Sequence, residues 1–392
     1  MPYLPRDQRT RLPRLRQIVR KFHLWLGLTA GLLFVLLGLT GSALVFYVEL
    51  DDTLHPIARN EPASPAPGWE SPVWDTALAT GRAHYPYGGG SWNLEVTHHG
   101  GPIPARYYYP ADGAQHGSHH GAGRDMVWFS ADGTRILRSQ PWGGYLMSWL
   151  YRLHMDLLLG DPGMQIVGWA GVVILLLLLS GIAAWWPRGS WRKALAFKRP
   201  AGRLRRLRDL HKHFGLWSAG LLVLLAATGA LLALPDIKAA LFTATIATPD
   251  PVPSPISTAA SGQQVSIAQA LATARWALPD ARLAFINVPD GGSDPIRIRV
   301  QVPGDPHARF PGSSIYLDQY SGEVLAVHDI RRGNAATSVN AWIRVLHDGS
   351  VGGLATRILA VLLGLVPAAL FITGLLHWRQ RHRAANPIEQ DC

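Results

Sequence analysis

Cysteine is all but missing from this sequence, since Cys392, the last residue, is the only one. A lone thiol excludes an internal disulfide and any metal or redox centre built from paired cysteines. There is no Cys-x-x-Cys-His run for covalent haem attachment. Nor does a Gly-x-Gly-x-x-Gly stand between a strand and a helix, so no flavin or nicotinamide fingerprint is present. Acidic residues are also scarce, 26 against 37 Lys and Arg, and charged residues make up only 16% of a chain that is 48% hydrophobic. That balance fits a membrane protein with polar portions.

The basic residues are clustered. Residues 1–21 hold seven Arg or Lys against Asp7, and Leu24–Val48 then runs 25 residues without a charge. About 20 apolar residues cross a bilayer core, and the run exceeds the roughly 7–15 residues of a signal-peptide core, with no A-x-A site after it. A second charge-free span, Val167–Trp186, ends in Trp185-Trp186-Pro187-Arg188, as suits a headgroup layer. Arg188–Lys212 carries ten Arg or Lys and one acid, Asp209. Its position beside a span assigns this charge to the cytoplasmic side of a membrane rather than to nucleic acid. Two further spans, Phe214–Pro235 and Ile358–Leu376, follow, and Arg379, Arg381 and Arg383 put the C-terminus inside.

The expected organisation is therefore a cytoplasmic N-terminus at 1–21 and a first span at 22–48. An external domain at 49–146 follows, then a helix and second span at 147–187 and a basic loop at 188–210. A third span at 211–235 leads to a second external domain at 236–340. A periplasmic-side segment and the fourth span occupy 341–378, with a cytoplasmic tail at 379–392. Both termini are expected inside and both domains outside. Gly27 and Gly31 form a GxxxG that either lets helices approach closely or leaves room for a flat cofactor.

Four histidines mark the spans in two matched phrases. His23 stands four residues before Gly27 and 18 before Gly41 of Thr40-Gly41; His211 has the same spacing to Gly215 and to Gly229 of Thr228-Gly229. His154 lies 27 residues before Gly181 of Ser180-Gly181, and His347 lies 27 before Gly374 of Thr373-Gly374. The equal spacings read as an internal duplication. His23 and His211 belong to the cytoplasmic ends of the spans, His154 and His347 to the outer ends. His213 and His377 remain alternates on the inner side. An ionisable group at a helix mouth in a bundle is a functional candidate by default.

The external segments alternate as strands do. Asp125–Leu137 predicts a hairpin turning at Asp132-Gly133. In the second domain, Ser266–Leu278 has helical periodicity through Ile267, Leu271 and Ala274, followed by strands at Arg282–Val288 and Ile296–Val302 and a hairpin within Ser314–Leu325. The first domain also carries His98, His99, His116, His119 and His120 in a Gly-rich stretch, a weak candidate for transient iron or a solvated loop. Trp92, Tyr107, Tyr108, Tyr109 and Trp142 are candidates for an exposed ligand surface or for ordinary strand residues.

The helix, strands and Asp318-Gln-Tyr320-Ser-Gly322 hairpin resemble a PepSY domain, with a weaker copy at Val127–Leu137. Over nearly its full length the chain resembles the PepSY-associated transmembrane family. The residues that carry this are His23-x3-Gly27 with Thr40-Gly41, His211-x3-Gly215 with Thr228-Gly229, the Leu153-His154 and Leu346-His347 pairs, and Ser180-Gly181-x4-Trp186-Pro187. The last span departs from the family pattern in ending Leu376-His377-Trp378-Arg379. The resemblance implies a membrane α+β fold: four transmembrane helices in two repeats, with two periplasmic PepSY-like α+β domains.

It also implies the activity of inner-membrane ferric-siderophore reductases, which carry haem b and pass electrons outward. On that expectation two haems are held by His23 with His211 and by His154 with His347. The partners are the lipid bilayer, a ferric siderophore (hydroxamate carriers among the candidates) and a quinol or cytosolic electron donor. Two other readings stay open: a haem-free PepSY regulator of a periplasmic peptidase, and a siderophore permease.

Overall fold

A long apolar segment can satisfy its backbone in lipid only by closing its own hydrogen bonds as a helix. The computed structural model describes residues 6–56, 61, 64–86, 90–97, 99–110, 123–187, 189, 190, 192, 195, 202–258 and 263–385. Among them are four helices of membrane-spanning length and hydropathy: α1 (Arg6–Leu44), α5 (Asp161–Trp185), α6 (Arg203–Ala233) and α10 (Gly353–Ala385). Shorter helices are α2 (Tyr47–Leu54), α3 (Val73–His84), α4 (Leu146–Asp156), α7 (Pro235–Thr245), α8 (Ile267–Ala277) and α9 (Ala335–Asp348).

The helix boundaries differ from the expected spans at several points, with α1 starting at Arg6 and α10 running to Ala385. The first span ends at Leu44 rather than at 48, because the Val45 carbonyl is taken by the Arg357 guanidinium at 2.7 Å and the chain restarts as α2. The third begins at Arg203, so the basic stretch before His211 is itself helical. Arginine is a good helix former whose long stem carries its charge away from the apolar layer.

The four long helices form a closed square. α1 packs on α5 and α10, and α6 packs on the same two, which leaves α1 and α6 facing across a diagonal. A middle layer of Ile174, Leu178, Leu222 and Leu363, with Phe34 and Leu37, fills the centre. α1 and α10 come close at Gly38 and Gly364, where a Cβ on Gly38 would stand 2.5 Å from the Gly364 carbonyl oxygen. Ser42 Oγ then reaches across to the Val361 carbonyl at 3.0 Å. The Gly27 and Gly31 pair is looser: Gly27 has only Leu177 at 3.7 Å, and Gly31 meets the ring of Phe371.

Outside the bundle lie, among the described residues, eight strands: β1 (Ser91–Glu95), β2 (Ile103–Tyr108), β3 (Arg124–Phe129), β4 (Ile136–Pro141), β5 (Arg282–Pro289), β6 (Ile296–Gln301), β7 (Ser313–Leu317) and β8 (Val324–His328). The two expected domains contribute four strands each to one antiparallel sheet in the order β4-β3-β2-β1-β5-β6-β7-β8. They join at the centre, where Trp92 pairs with Val288 and Leu94 with Ile286. The hairpin expected at Asp132-Gly133 is present, with Gly133 at φ +74°, a value that suits glycine.

One sheet face is dry. Trp74, Ala77 and Leu78 of α3 and Ile267, Leu271 and Ala274 of α8 pack on it as a single core shared by both halves. Asp75 of α3 accepts from the backbone N–H groups of Ile267 (2.7 Å) and Ala268 (3.0 Å), capping the start of the other half's helix. Trp92 and Tyr107, candidates for an exposed ligand surface, are wholly buried in this core, and Trp142 is buried beside Tyr145 and Met147. Their size and alternation on the strands put them inside.

The other face rests on the outer end of the bundle and is held there by charge. Arg138 pairs with buried Asp51 at 2.8 Å, and the Tyr47 and Tyr145 hydroxyls hydrogen-bond each other. Glu95, only 6% exposed, accepts from Arg106 (2.9 Å) in its own half and from Arg309 (2.6 Å) in the other. Burial alone would raise its carboxyl, but Arg309 and then Arg106 overcome it and hold the group down to about 2. A lowered carboxyl contributes stability that is complete above its usual range and is lost as pH falls towards 2.

Arg309→Met should therefore cost about 3 kcal/mol near neutrality by leaving Glu95 underpaired. It should also move the acid unfolding midpoint upward. Thermal melts of the detergent-solubilised protein across pH check both. A variant as acid-resistant as the parent would remove Glu95 from the account.

Candidate functional site

Each of the four sequence-marked histidines lies in a cradle supplied by another helix. His23 on α1 places Nδ1 3.1 Å from Ser180 Oγ and 3.2 Å from the Leu177 carbonyl on α5. His211 on α6 does the same with Thr373 Oγ1 (3.2 Å) and the Leu370 carbonyl (2.9 Å) on α10. His347 on α9 meets Thr228 Oγ1 (3.2 Å) and the Leu225 carbonyl (3.1 Å) on α6. His154 on α4 meets Thr40 Oγ1 of α1 at 3.0 Å.

In all four cradles the hydroxyl spends its own proton on a carbonyl of its own helix. Ser180 donates to Leu177 (2.8 Å), Thr373 to Ala369 (2.7 Å), Thr228 to Leu224 (2.8 Å) and Thr40 to Leu36 (2.8 Å). The hydroxyl can then only accept from the imidazole, and so can the carbonyls. Nδ1 must carry the hydrogen, which leaves the Nε2 lone pair without a hydrogen-bond partner among the described residues. This is how proteins fix the tautomer of a metal-ligating histidine.

The glycine after each hydroxyl makes room for the ring. A Cβ would stand 3.0 Å from His154 Cε1 at Gly41, 2.9 Å from His23 Cε1 at Gly181, 2.8 Å from His347 Cε1 at Gly229 and 3.3 Å from His211 Cε1 at Gly374. The Thr-Gly and Ser-Gly pairs thus do not serve the histidine of their own span. Thr40-Gly41 of α1 receives His154, and Ser180-Gly181 of α5 receives His23. The same exchange joins α6 with the α9–α10 segment. The hydroxyl-glycine pair was visible in the sequence, but its cross-helix assignment was not.

The cradled rings come together in two pairs. His23 and His211 face each other across the bundle diagonal with ring centroids 6.2 Å apart, and His154 and His347 lie 6.1 Å apart. Two imidazoles on one six-coordinate iron need a separation of about 6.4 Å, from nitrogen–metal bonds of roughly 2.0 Å plus the ring radii. Thr40 is 17 residues beyond His23 on the same helix, so the pairs stand ~25 Å apart along the bundle at ~1.5 Å per residue. Burial, with His347 adding to it, holds His154 down to about 4, and burial also lowers His347. Neutral rings are the form that binds a metal.

The alternates fare differently. His213 is not the α6 histidine that meets His23; His211 is. His377 lies one turn beyond Thr373 and makes no ring contact or hydrogen bond with the pair among the described residues. His98, His116, His119 and His120 lie outside the described residues, and His99 stands in a turn. Among the described residues no three His, Cys, Asp or Glu side chains cluster as a metal site.

The sequence region described as the PepSY-associated TM region matches residues 20–381. A relative among curated proteins is the uncharacterized protein PA4219 of Pseudomonas aeruginosa, 39% identical over 82 residues, 21% of this chain. The match spans about one fifth of that relative's length, 20%. With a match over nearly all of its length, the chain belongs to the PepSY-associated transmembrane family.

Proposed function

We propose that this protein is a haem-carrying reductase of the bacterial inner membrane that passes electrons from the cytoplasmic side to a ferric siderophore outside, releasing Fe(II). The observation that carries the reading is the set of four imidazoles, each with Nδ1 spent and Nε2 without a hydrogen-bond partner among the described residues, standing in two pairs 6.2 and 6.1 Å apart. Haem b bound between each pair would supply one-electron transfer across the bilayer. The chain's own contribution is to hold the ring planes, fix the tautomers and keep an apolar layer between the two sites.

The orientation rests on charge. Basic residues crowd the start of α1, the segment that joins α5 to α6 together with the start of α6, and the end of α10, which supports an inner position for the His23 and His211 end. The sheet then lies on the periplasmic side. Each Fe(III) takes one electron, and Fe(II) leaves its hard oxygen ligands more readily. The reductant is a second molecule, a quinol or a cytosolic reductase, since the chain has no flavin or nicotinamide fingerprint. A peptidase regulator or a permease would give no reason for paired, tautomer-fixed histidines.

Detergent-purified protein from haem-supplied cells should give sharp reduced α-bands, two haems per chain by pyridine haemochrome, and reoxidation by a ferric siderophore with one Fe(II) trapped per electron. Protein free of haem under those conditions sinks the proposal.

A further inference from the structure

The face of the sheet turned towards the bundle carries more positive charge than its carboxylates answer. Arg106 and Arg309 share Glu95, Arg138 has Asp51, and Arg357 has Glu49. Arg297, Arg299 and Arg344 have no ion-pair partner among the described residues. On β6 the burial alternates, with Ile296, Ile298 and Val300 in the core, so Arg297 and Arg299 project together from the opposite face.

Arg299 holds the Pro311 carbonyl at 2.6 Å and stands 5.9 Å from the Phe285 ring. Phe285 stacks on Phe310 at 5.7 Å, and Arg344 of α9 covers Phe310 at 4.7 Å. Arg344 also donates to the Tyr151 hydroxyl of α4, at 3.3 Å. The loop bearing Phe310 is pinned to the end of α9 by His307, which hydrogen-bonds Asp348 at 3.0 Å. Arg344 is one helical turn before His347, so this cationic and aromatic surface adjoins the outer histidine pair.

A half-buried guanidinium without a carboxylate partner is costly, and Arg297 and Arg344 add to that cost at Arg299. Burial, then Arg297 and Arg344, lower Arg299 to about 10. An anion would reverse the penalty, and planar guanidinium matches carboxylate or phenolate oxygens in pairs. Resting on the reductase reading, we infer that Arg297, Arg299 and Arg344, with Phe310 backed by the buried Phe285 ring, form the docking site for an anionic, oxygen-rich ferric chelate. Its negative charge then distinguishes the preferred acceptor from a neutral tris-hydroxamate complex.

Calorimetric titration with the redox-inert gallium(III) citrate complex reads the site without electron transfer. The parent protein should bind it, with affinity falling as salt rises. Arg299→Gln and Arg344→Gln should each weaken binding about tenfold, while Arg344→Lys keeps most of it. Stopped-flow reoxidation of the reduced protein should favour ferric citrate over neutral ferric acetohydroxamate, and the two glutamine variants should lose that preference at unchanged haem content.

Equal reaction with both chelates, indifferent to the arginines, overturns the site and leaves the reductase reading standing. Arginine-dependent gallium binding without any reoxidation keeps the site and sinks the reductase. Loss of haem in the glutamine variants would assign these arginines to the haem carboxylates and overturn the inference.

Discussion

If the proposed haem reading holds, alanine at His347 should leave one haem where two are expected, and alanine at His154 should remove the same haem rather than a second one. The double variant His154→Ala/His347→Ala therefore still counts one per chain, whereas His211→Ala/His347→Ala counts none. The argument is the pairing: His154 meets His347 at 6.1 Å and His23 meets His211 at 6.2 Å, while ~25 Å of helix separates the pairs. Groups behind a metal ligand are already worth about 10–100-fold in affinity, so loss of a ligand should exceed the upper end of that range. His213→Ala and His377→Ala should leave the count at two, because His211 is the α6 ring that meets His23 and the outer pair is His154 with His347. Pyridine haemochrome counts on the six variants settle the assignment. A haem lost with His213 but kept without His211 would move the inner site by two residues and break the account of the Thr373 cradle.

The spans and the four histidines were legible in the sequence because each rests on a local signal. A charge-free run of 25 residues has one stable form in lipid, and an imidazole at its mouth stands out from leucine. The core helix α8 was legible through the period of Ile267, Leu271 and Ala274. What escaped depends on contacts far apart in the chain. Nothing near Trp92 announces that it pairs with Val288 and closes one sheet from two halves, or that it and Tyr107 are core. The cradles are the plainest case. Thr40-Gly41 is 18 residues from His23 on one helix, which puts it at the far end of the bundle, where it receives His154 instead. The arginine excess on the sheet was hidden for the same reason, since Arg299 and Arg344 are 45 residues apart.

Gly229→Val should abolish the outer haem while leaving the inner one, and Gly229→Ala should weaken it strongly. A Cβ at Gly229 would stand 2.8 Å from His347 Cε1, closer than side chains tolerate, and the ring is wedged between α6 and its own helix. Either the imidazole tilts away from its partner or α9 moves off α6, and each change breaks the 6.1 Å facing distance. Gly220 on the same helix has nothing within 4 Å, so Gly220→Ala should keep both haems and gain helix stability of about 1 kcal/mol. Thr228→Val keeps the shape of the cradle but removes the hydroxyl that accepts from His347 Nδ1, leaving the Leu225 carbonyl at 3.1 Å. Its expected effect is smaller, about tenfold in haem affinity, with a shifted midpoint potential for one haem only. If Gly229→Ala and Gly220→Ala gave the same spectra, the glycine would be a helix-packing residue and the cradle would lose its steric half. The hydroxyl would then have to orient the ring unaided, and Thr228→Val should prove the more damaging of the two.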